Sequence, residues 1–259
     1  MSGPLALERE GGLGIVTFDS PPLNLFDAEL GRELERAVSE LEQKPARAVL
    51  FRAKGRVVSG GVDVSVFAAQ QSADAAEATF QPLIDIARRV DHLACPTVFA
   101  AHALCLTWAF ELALACDLIV AAQSAQFGLV EKVVGLTPAM GGTQRLAERA
   151  GSGRARELVM TGRPYDAATL ERWNVVNLVL PDEGFDAAAR ELAHELASGP
   201  TRAHAATKQV IHDYLDGGVE LANDRVGKVA AALWDTEDLR AAVTSFLEQG
   251  PGKATFEGR

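Results

Sequence analysis

Apolar and polar positions fall into blocks along this chain, and the blocks change their period. Residues 13–18 are a short apolar run that predicts a strand, closed by the turn residues Ser20-Pro21-Pro22. Over 27–43 the period lengthens. Leu30, Leu34, Val38 and Leu41 share one helical face behind Asp27, a good N-cap. A second buried strand over 48–52 precedes the tight turn Ser59-Gly60-Gly61. A helix over 75–91, a strand over 97–101, a helix over 108–116 and a strand over 118–121 continue the alternation, which predicts an α/β architecture. Beyond Gly141 helix follows helix, over 154–160, 166–172, 185–197, 202–215 and 219–234, with one further strand within 175–180. The break at Gly199-Pro200 divides an α/β core, residues 1–199, from a helical region, residues 200–259, expected to pack on that core or on another subunit. The tail Gly250-Pro251-Gly252-Lys253 reads as loop.

Composition narrows the function classes. With 259 residues and 48% of them apolar, the chain can bury one large core or a core with a helical appendage. The net charge of −10 opposes nucleic-acid binding and weakens any attraction to an anionic membrane. It leaves open an anionic ligand held by backbone N–H groups and a few lysines. The most apolar stretch, 111–122, is interrupted by Asp117 and is too short to cross a bilayer. The first ten residues lack a basic start followed by an apolar block, so no secretory signal is expected and the cytoplasm is the expected location. Cys95, Cys105 and Cys116 are odd in number with no CxxC pair, which points to buried thiols. The five histidines form no HxxxH pair, and no metal site is expected.

Three segments carry candidate chemistry. The turn at 57–64 contains Gly60 and Gly61, which permit close backbone approach, and successive N–H groups there could hold an oxyanion. Alone it reads as an ordinary strand-to-helix turn. The helix opening at Thr107-Trp108 offers unpaired N–H groups and the positive end of a dipole. Glu111 follows one turn in, among Phe110, Leu112 and Ala113, where apolar surroundings raise a carboxyl pKa towards neutrality. Its plain alternative is a solvated glutamate near a helix start. The third segment, 125–145, combines Glu131, a loop through Pro138, and the pair Gly141-Gly142 opening a helix. By itself Glu131 reads as a solvated loop residue.

Together, in this order and spacing, these segments resemble the enoyl-CoA hydratase/isomerase (crotonase) superfamily over nearly the whole chain. Ser-Gly-Gly-Val-Asp at 59–63 resembles its "SAGAD" loop, and Glu-Leu-Ala-Leu-Ala-Cys-Asp-Leu at 111–118 its "ELALACDL" helix. Ser-Ala-Gln-Phe-Gly at 124–128, Gly-Gly-Thr-Gln-Arg at 141–145, Met160-Thr161-Gly162-Arg163, Phe246-Leu247-Glu248 and the ending at 252–256 also match in place. The resemblance implies a spiral of ββα units with a C-terminal helical region that makes trimers or paired trimers. It implies a CoA thioester substrate and no further cofactor or metal. Carried over by position, the oxyanion-hole N–H groups belong to Val62 and Trp108. Ser59, Gly60, Gly61, Asp63, Val64, Ser65, Pro138 and Gly142 would line the substrate and CoA site. Glu111 and Glu131 would hold the water added syn to a trans-2-enoyl-CoA, Glu111 activating it and Glu131 protonating the α-carbon. Possession of both favours a hydratase over an isomerase.

The pattern is broken in places. Thr107-Trp108-Ala109 stands where the family has a run of glycines, and His102-Ala103 where it has Asn-Gly. The indole of Trp108 is expected to turn towards the acyl site and narrow it, the alternative being core packing. Ser65 and Gln249 replace basic residues that grip CoA phosphates, a task that Lys253, Lys54 or Arg56 could assume. His102 reads as structural. The alternatives to hydration are another crotonase-fold reaction on a CoA thioester (isomerisation, decarboxylation or hydrolysis) and a binding or assembly subunit without catalysis.

Overall fold

The computed structural model describes residues 3–259. The chain enters on an antiparallel pair, β1 (Leu5–Glu10) and β2 (Leu13–Phe18), with Leu5 opposite Phe18. From β2 onward one unit repeats: a strand of a large sheet, a short extended piece of a second sheet, then a helix. The first turn is β2, the extended residue Phe26 and helix α1 (Ala28–Gln43). The second is β3 (Ala48–Ala53), extended residues at Ser59 and Val62, the short α2 (Ser65–Ala68) and α3 (Ala73–Asp91). The third is β4 (Thr97–Ala101), β5 (Cys105–Leu106) and α4 (Trp108–Leu114). The fourth is β6 (Leu118–Ala122), β7 (Gln126–Gly128), a 3-10 turn (Glu131–Val134) and α5 (Gly142–Thr161). Next come β8 (Tyr165–Asp166), α6 (Ala167–Arg172), β9 (Leu178–Leu180), α7 (Phe185–Ser198), α8 (Thr201–Ala231) and α9 (Glu237–Gln249).

The large sheet runs β1-β2-β3-β4-β6-β9, parallel at every pair after the first, and the small one β5-β7-β8. Parallel bridges Ser59–Cys105 and Phe26–Val62 extend the small sheet across the earlier turns. This is the spiral of ββα units that the family resemblance implied.

Burial explains which elements the pattern revealed. All residues of β2 and β4 are buried, as expected of parallel strands covered on both faces, so they read as continuous apolar runs. On α1 the Asp27 carboxylate caps the helix at Leu30 N–H (2.8 Å), and Leu30, Leu34, Ala37, Val38 and Leu41 face the core. The edge strand β1 was hidden by Glu8, Arg9 and Glu10, charges that suit an exposed edge. The strands β5, β7 and β8, two or three residues each, are too short to show a period. Helix α5 begins at Gly142 and bends at Gly151 (φ 80°), so the segment predicted over 154–160 is only its second half. Helix α8 leaves helical geometry at Gly217 and Gly218, between the two helices predicted there. Helix α9 adds to the predicted set. The three cysteines are buried, and desolvation pushes their thiols up, Cys95 to about 11.

Helix α8 is fastened to the sheet by one buried cation. Lys208 Nζ donates to Asp117 Oδ2 (2.9 Å) and to Cys95 O (3.2 Å). The same carboxylate oxygen accepts Thr97 N–H (2.7 Å) and the Thr97 hydroxyl (2.8 Å). Cutting this node leaves a buried ammonium without its counter-charge. Asp117→Ala is expected to lower the free energy of unfolding by about 2–4 kcal/mol, read from urea titration, whereas loss below about 0.5 kcal/mol would show the node to be dispensable.

Candidate active site

Every residue of α4 is buried, and Glu111 is only 3% exposed. The fold compensates its carboxylate from the start of α5. Glu111 Oε2 accepts Met140 N–H and Gly142 N–H, each at 2.8 Å. Gly142 N–H, the first of α5, lacks a helical partner and carries the positive end of the dipole, and Met140 N–H lies just ahead of the helix. The approach is so close that a Cβ on Gly142 would lie 2.6 Å from Glu111 Cγ, which explains glycine at that position. Glu131 opens the 3-10 turn, is 8% exposed, and has no hydrogen-bond partner on either carboxylate oxygen. Desolvation pushes Glu111 up to about 7, against the pull of its backbone donors. Desolvation, and then the charge of Glu111, pushes Glu131 up to about 7 as well.

Two backbone donors stand beside this pair. Phe26 N–H donates to Gly61 O (2.9 Å) and Asp63 N–H to Phe26 O (2.9 Å), so the intervening Val62 N–H points away from that bridge. Trp108 is the first residue of α4, and its N–H has no i−4 partner within the helix. Among the described residues neither N–H meets a backbone acceptor. Thr107, which turns β5 into α4, adopts φ 51° and ψ −121°, a conformation that β-branched residues avoid. Its buried hydroxyl is unpartnered.

The carboxylates, Val62 and Trp108 line one cavity of about 40 Å³, room for a water or two. Its remaining wall is apolar and includes Phe26, Val66, Phe67, Phe80, Leu83 and Met140. Sequence reasoning missed that wall. The available signal was the aromatic pair Phe67 and Phe80 beside the glycine turn, on helices α2 and α3. Trp108 differs from expectation. Its ring, 2% exposed, packs edge-on against Phe18 (centroids 5.0 Å, 89°) and tilted against Phe26 (5.7 Å), and its Nε1–H donates to Ser59 Oγ (2.7 Å). It therefore packs in the core and borders the cavity without plugging it.

The expected CoA-site residues separate by exposure. Ser59 is fully buried, Gly61 and Pro138 are buried, and Gly60 is half-buried. Gly142 spends its N–H on Glu111. Val64 and Ser65 are exposed, and Asp63 Oδ1 accepts Ser65 N–H (2.8 Å), which shapes the start of α2; the Ser65 side chain, and then this N–H, hold the Asp63 carboxyl below its usual range. Lys54 pairs with Asp19 (3.3 Å), while Arg56 and Lys253 are exposed. His102 is tied to Gly55 O (2.9 Å).

The family model for enoyl-CoA hydratase/isomerase matches residues 8–259. The short-chain-enoyl-CoA hydratase of Clostridium acetobutylicum is 28% identical over 247 residues, covering 94% of each chain. The carnitinyl-CoA dehydratase of Citrobacter koseri is 32% identical over 214 residues, covering 81% of this chain and 80% of its own. A Geobacillus kaustophilus structure described as an enoyl-CoA hydratase subunit I superimposes with a TM-score of 0.91 at 29% identity, over 99% of this chain and 98% of that one. Fold, site and sequence thus define an acyl-CoA enzyme of crotonase type. The chain belongs to the enoyl-CoA hydratase/isomerase family.

The raised carboxyl pKa values have a consequence for stability. Glu131 is held neutral more readily in the folded chain than in the unfolded one. Its contribution is fully present below about pH 4.5 and is lost as pH rises through about 7. Glu131→Gln removes that loss. The variant is expected to melt about 2–4 °C above the parent at pH 8, with the gain gone at pH 4.5. An advantage independent of pH would contradict this origin.

Proposed function

We propose that this protein is an enoyl-CoA hydratase that adds water syn across a trans-2-enoyl-CoA, with Glu111 and Glu131 as its acid–base pair. The observation that carries this reading is the sharing of one water-sized cavity by two buried carboxyls, both raised to about 7. Two like charges at such close quarters titrate as a unit, so near neutrality the pair retains one proton in common. One member is then a base while the other is an acid, the division that addition of water requires. Glu111, oriented through Oε2, takes the proton of the water whose oxygen bonds to the β-carbon. Glu131 delivers its proton to the α-carbon. The N–H groups of Val62 and Trp108 stabilise the thioester oxygen as enolate charge develops there.

One observation favours a second reading. Glu111 Oε2 is already engaged by two backbone donors, whereas both oxygens of Glu131 are free. A site with one unencumbered carboxylate suits proton shuttling in double-bond isomerisation. The Delta(3,5)-Delta(2,4)-dienoyl-CoA isomerase of Dictyostelium discoideum is among the relatives, at 27% identity.

The CoA moiety would run along Gly60, Gly61, Asp63, Val64 and Ser65, with Pro138 and Gly142 on the facing side. Lys54, Arg56 or Lys253 would supply the phosphate contacts that Ser65 cannot make. No further cofactor or metal is required by this chemistry. Residues 200–259 would form the subunit contacts of a homotrimer or a dimer of trimers, because Trp234, Phe246 and Leu247 on this region are 67%, 60% and 79% exposed. Among the described residues no helix is long and apolar enough to cross a membrane, and a cytoplasmic location fits this reading.

A panel of enoyl-CoA esters, followed by loss of the conjugated thioester absorbance, tests the reaction. Glu111→Gln and Glu131→Gln are each expected to lower kcat about 10²–10⁴-fold with folding intact. Formation of the conjugated thioester from a trans-3-enoyl-CoA, unaffected by Glu111→Gln and without hydration of the trans-2 ester, would select the isomerase reading, and near-parental hydration by both variants would overturn the assignment. Light scattering is expected to give three subunits or a multiple of three; a stable monomer at micromolar concentration would contradict the assembly.

A further inference from the structure

The two N–H groups of the cavity lie on backbone that is poorly fixed by its own sequence. Val62 follows Gly60 and Gly61, the latter at φ 118°, with no side chains to restrain the turn. Trp108 follows Thr107, held at φ 51° in a conformation that costs a β-branched residue energy and that would relax if nothing opposed it. One buried hydroxyl connects the two. Ser59 Oγ accepts Gly61 N–H (3.0 Å) and the Trp108 indole Nε1–H (2.7 Å), and gives its own proton to Asn24 O (2.9 Å). That uses both acceptor sites and the single donor of the hydroxyl. The indole is in turn immobilised by Phe18 and Phe26.

We propose that the Trp108 side chain is a positioning residue: through Ser59 it sets the spacing between the Val62 and Trp108 N–H groups that polarise the thioester carbonyl. The proposal rests on the oxyanion-site reading above. Where the resemblance expects a glycine run, this chain cross-links the two donor segments by a side chain. Preorganised donors are effective because they need no rearrangement as charge develops, and loosening their spacing penalises the transition state more than substrate binding.

Trp108→Phe keeps an aromatic ring and the backbone N–H but removes Nε1–H. It is expected to lower kcat about tenfold while changing KM less than about twofold. Ser59→Ala cuts the same bond from the other end, which covers the case in which Trp108→Phe does not fold. The double variant should be no slower than the slower single one, since one bond is lost in each. A second readout is independent of the reaction: the carbonyl stretch of carbonyl-¹³C butyryl-CoA, which has no double bond to hydrate. Bound to the parent, the stretch should move to lower frequency, and in either variant most of that shift should be lost. A variant that retains both the shift and the parental kcat, with only a lower melting temperature, would mark Trp108 as a packing residue and overturn the proposal. A parent that leaves the stretch at its solution value would overturn the oxyanion-site reading along with it.

Discussion

The two bonds from Met140 N–H and Gly142 N–H to Glu111 Oε2 hold a carboxylate inside a helix that has no exposed face. An uncompensated charge there would be prohibitive. Two backbone dipoles, one just ahead of α5 and one at its first residue, make it tolerable without neutralising it. The compensation is partial, and the carboxyl settles near 7 instead of at its solution value. Much else follows from this contact. It requires glycine at 142, it fixes where α5 starts relative to α4, and it places Glu111 close enough for its charge to raise Glu131.

The spiral brings these groups together because each of its turns ends near the same edge of the small sheet. Phe26 comes from the first turn, Ser59 and Val62 from the second, Trp108 and Glu111 from the third, Glu131 and Gly142 from the fourth. Bridges between turns therefore double as supports for the site. The Phe26–Val62 bridge turns one N–H towards the cavity, and Thr107 N–H, bonded to Gly128 O (2.9 Å), anchors the turn that presents the other. A scaffold of long buried strands bears the packing, while the site occupies the short pieces between them.

That division also explains what could be read in the sequence. The strands β2, β3, β4 and β6, and the helix face of Leu30, Leu34, Val38 and Leu41, were legible because burial imposes a period on composition. The carboxylates and the glycine turn were legible through motif order, since Glu111 and Glu131 taken singly were indistinguishable from solvated residues. The backbone anchoring of Glu111 was not legible, because N–H groups leave no mark on residue identity; only Gly142 hinted at close approach. The orientation of Trp108 was misjudged. A large residue at an expected glycine position suggested an intrusion into the site, but Phe18, Phe26 and Ser59 form a ready place for it in the core, and those three are distant in sequence. The edge strand β1, rich in charge, and the two- and three-residue strands of the small sheet lacked any pattern that could set them apart from loops.

The burial of all three cysteines has a practical meaning. Cys95, Cys105 and Cys116 flank the central strands β4 and β6, and desolvation keeps each of them in the unreactive thiol form. All three are buried in the core, well away from the chain ends. Alkylation of Cys105, fully buried in β5, therefore clocks opening of the core rather than breathing of its surface. The native chain carries its own chemical stopwatch for unfolding, one that needs no introduced label and in which Cys95, whose carbonyl is held by Lys208, also registers release of α8.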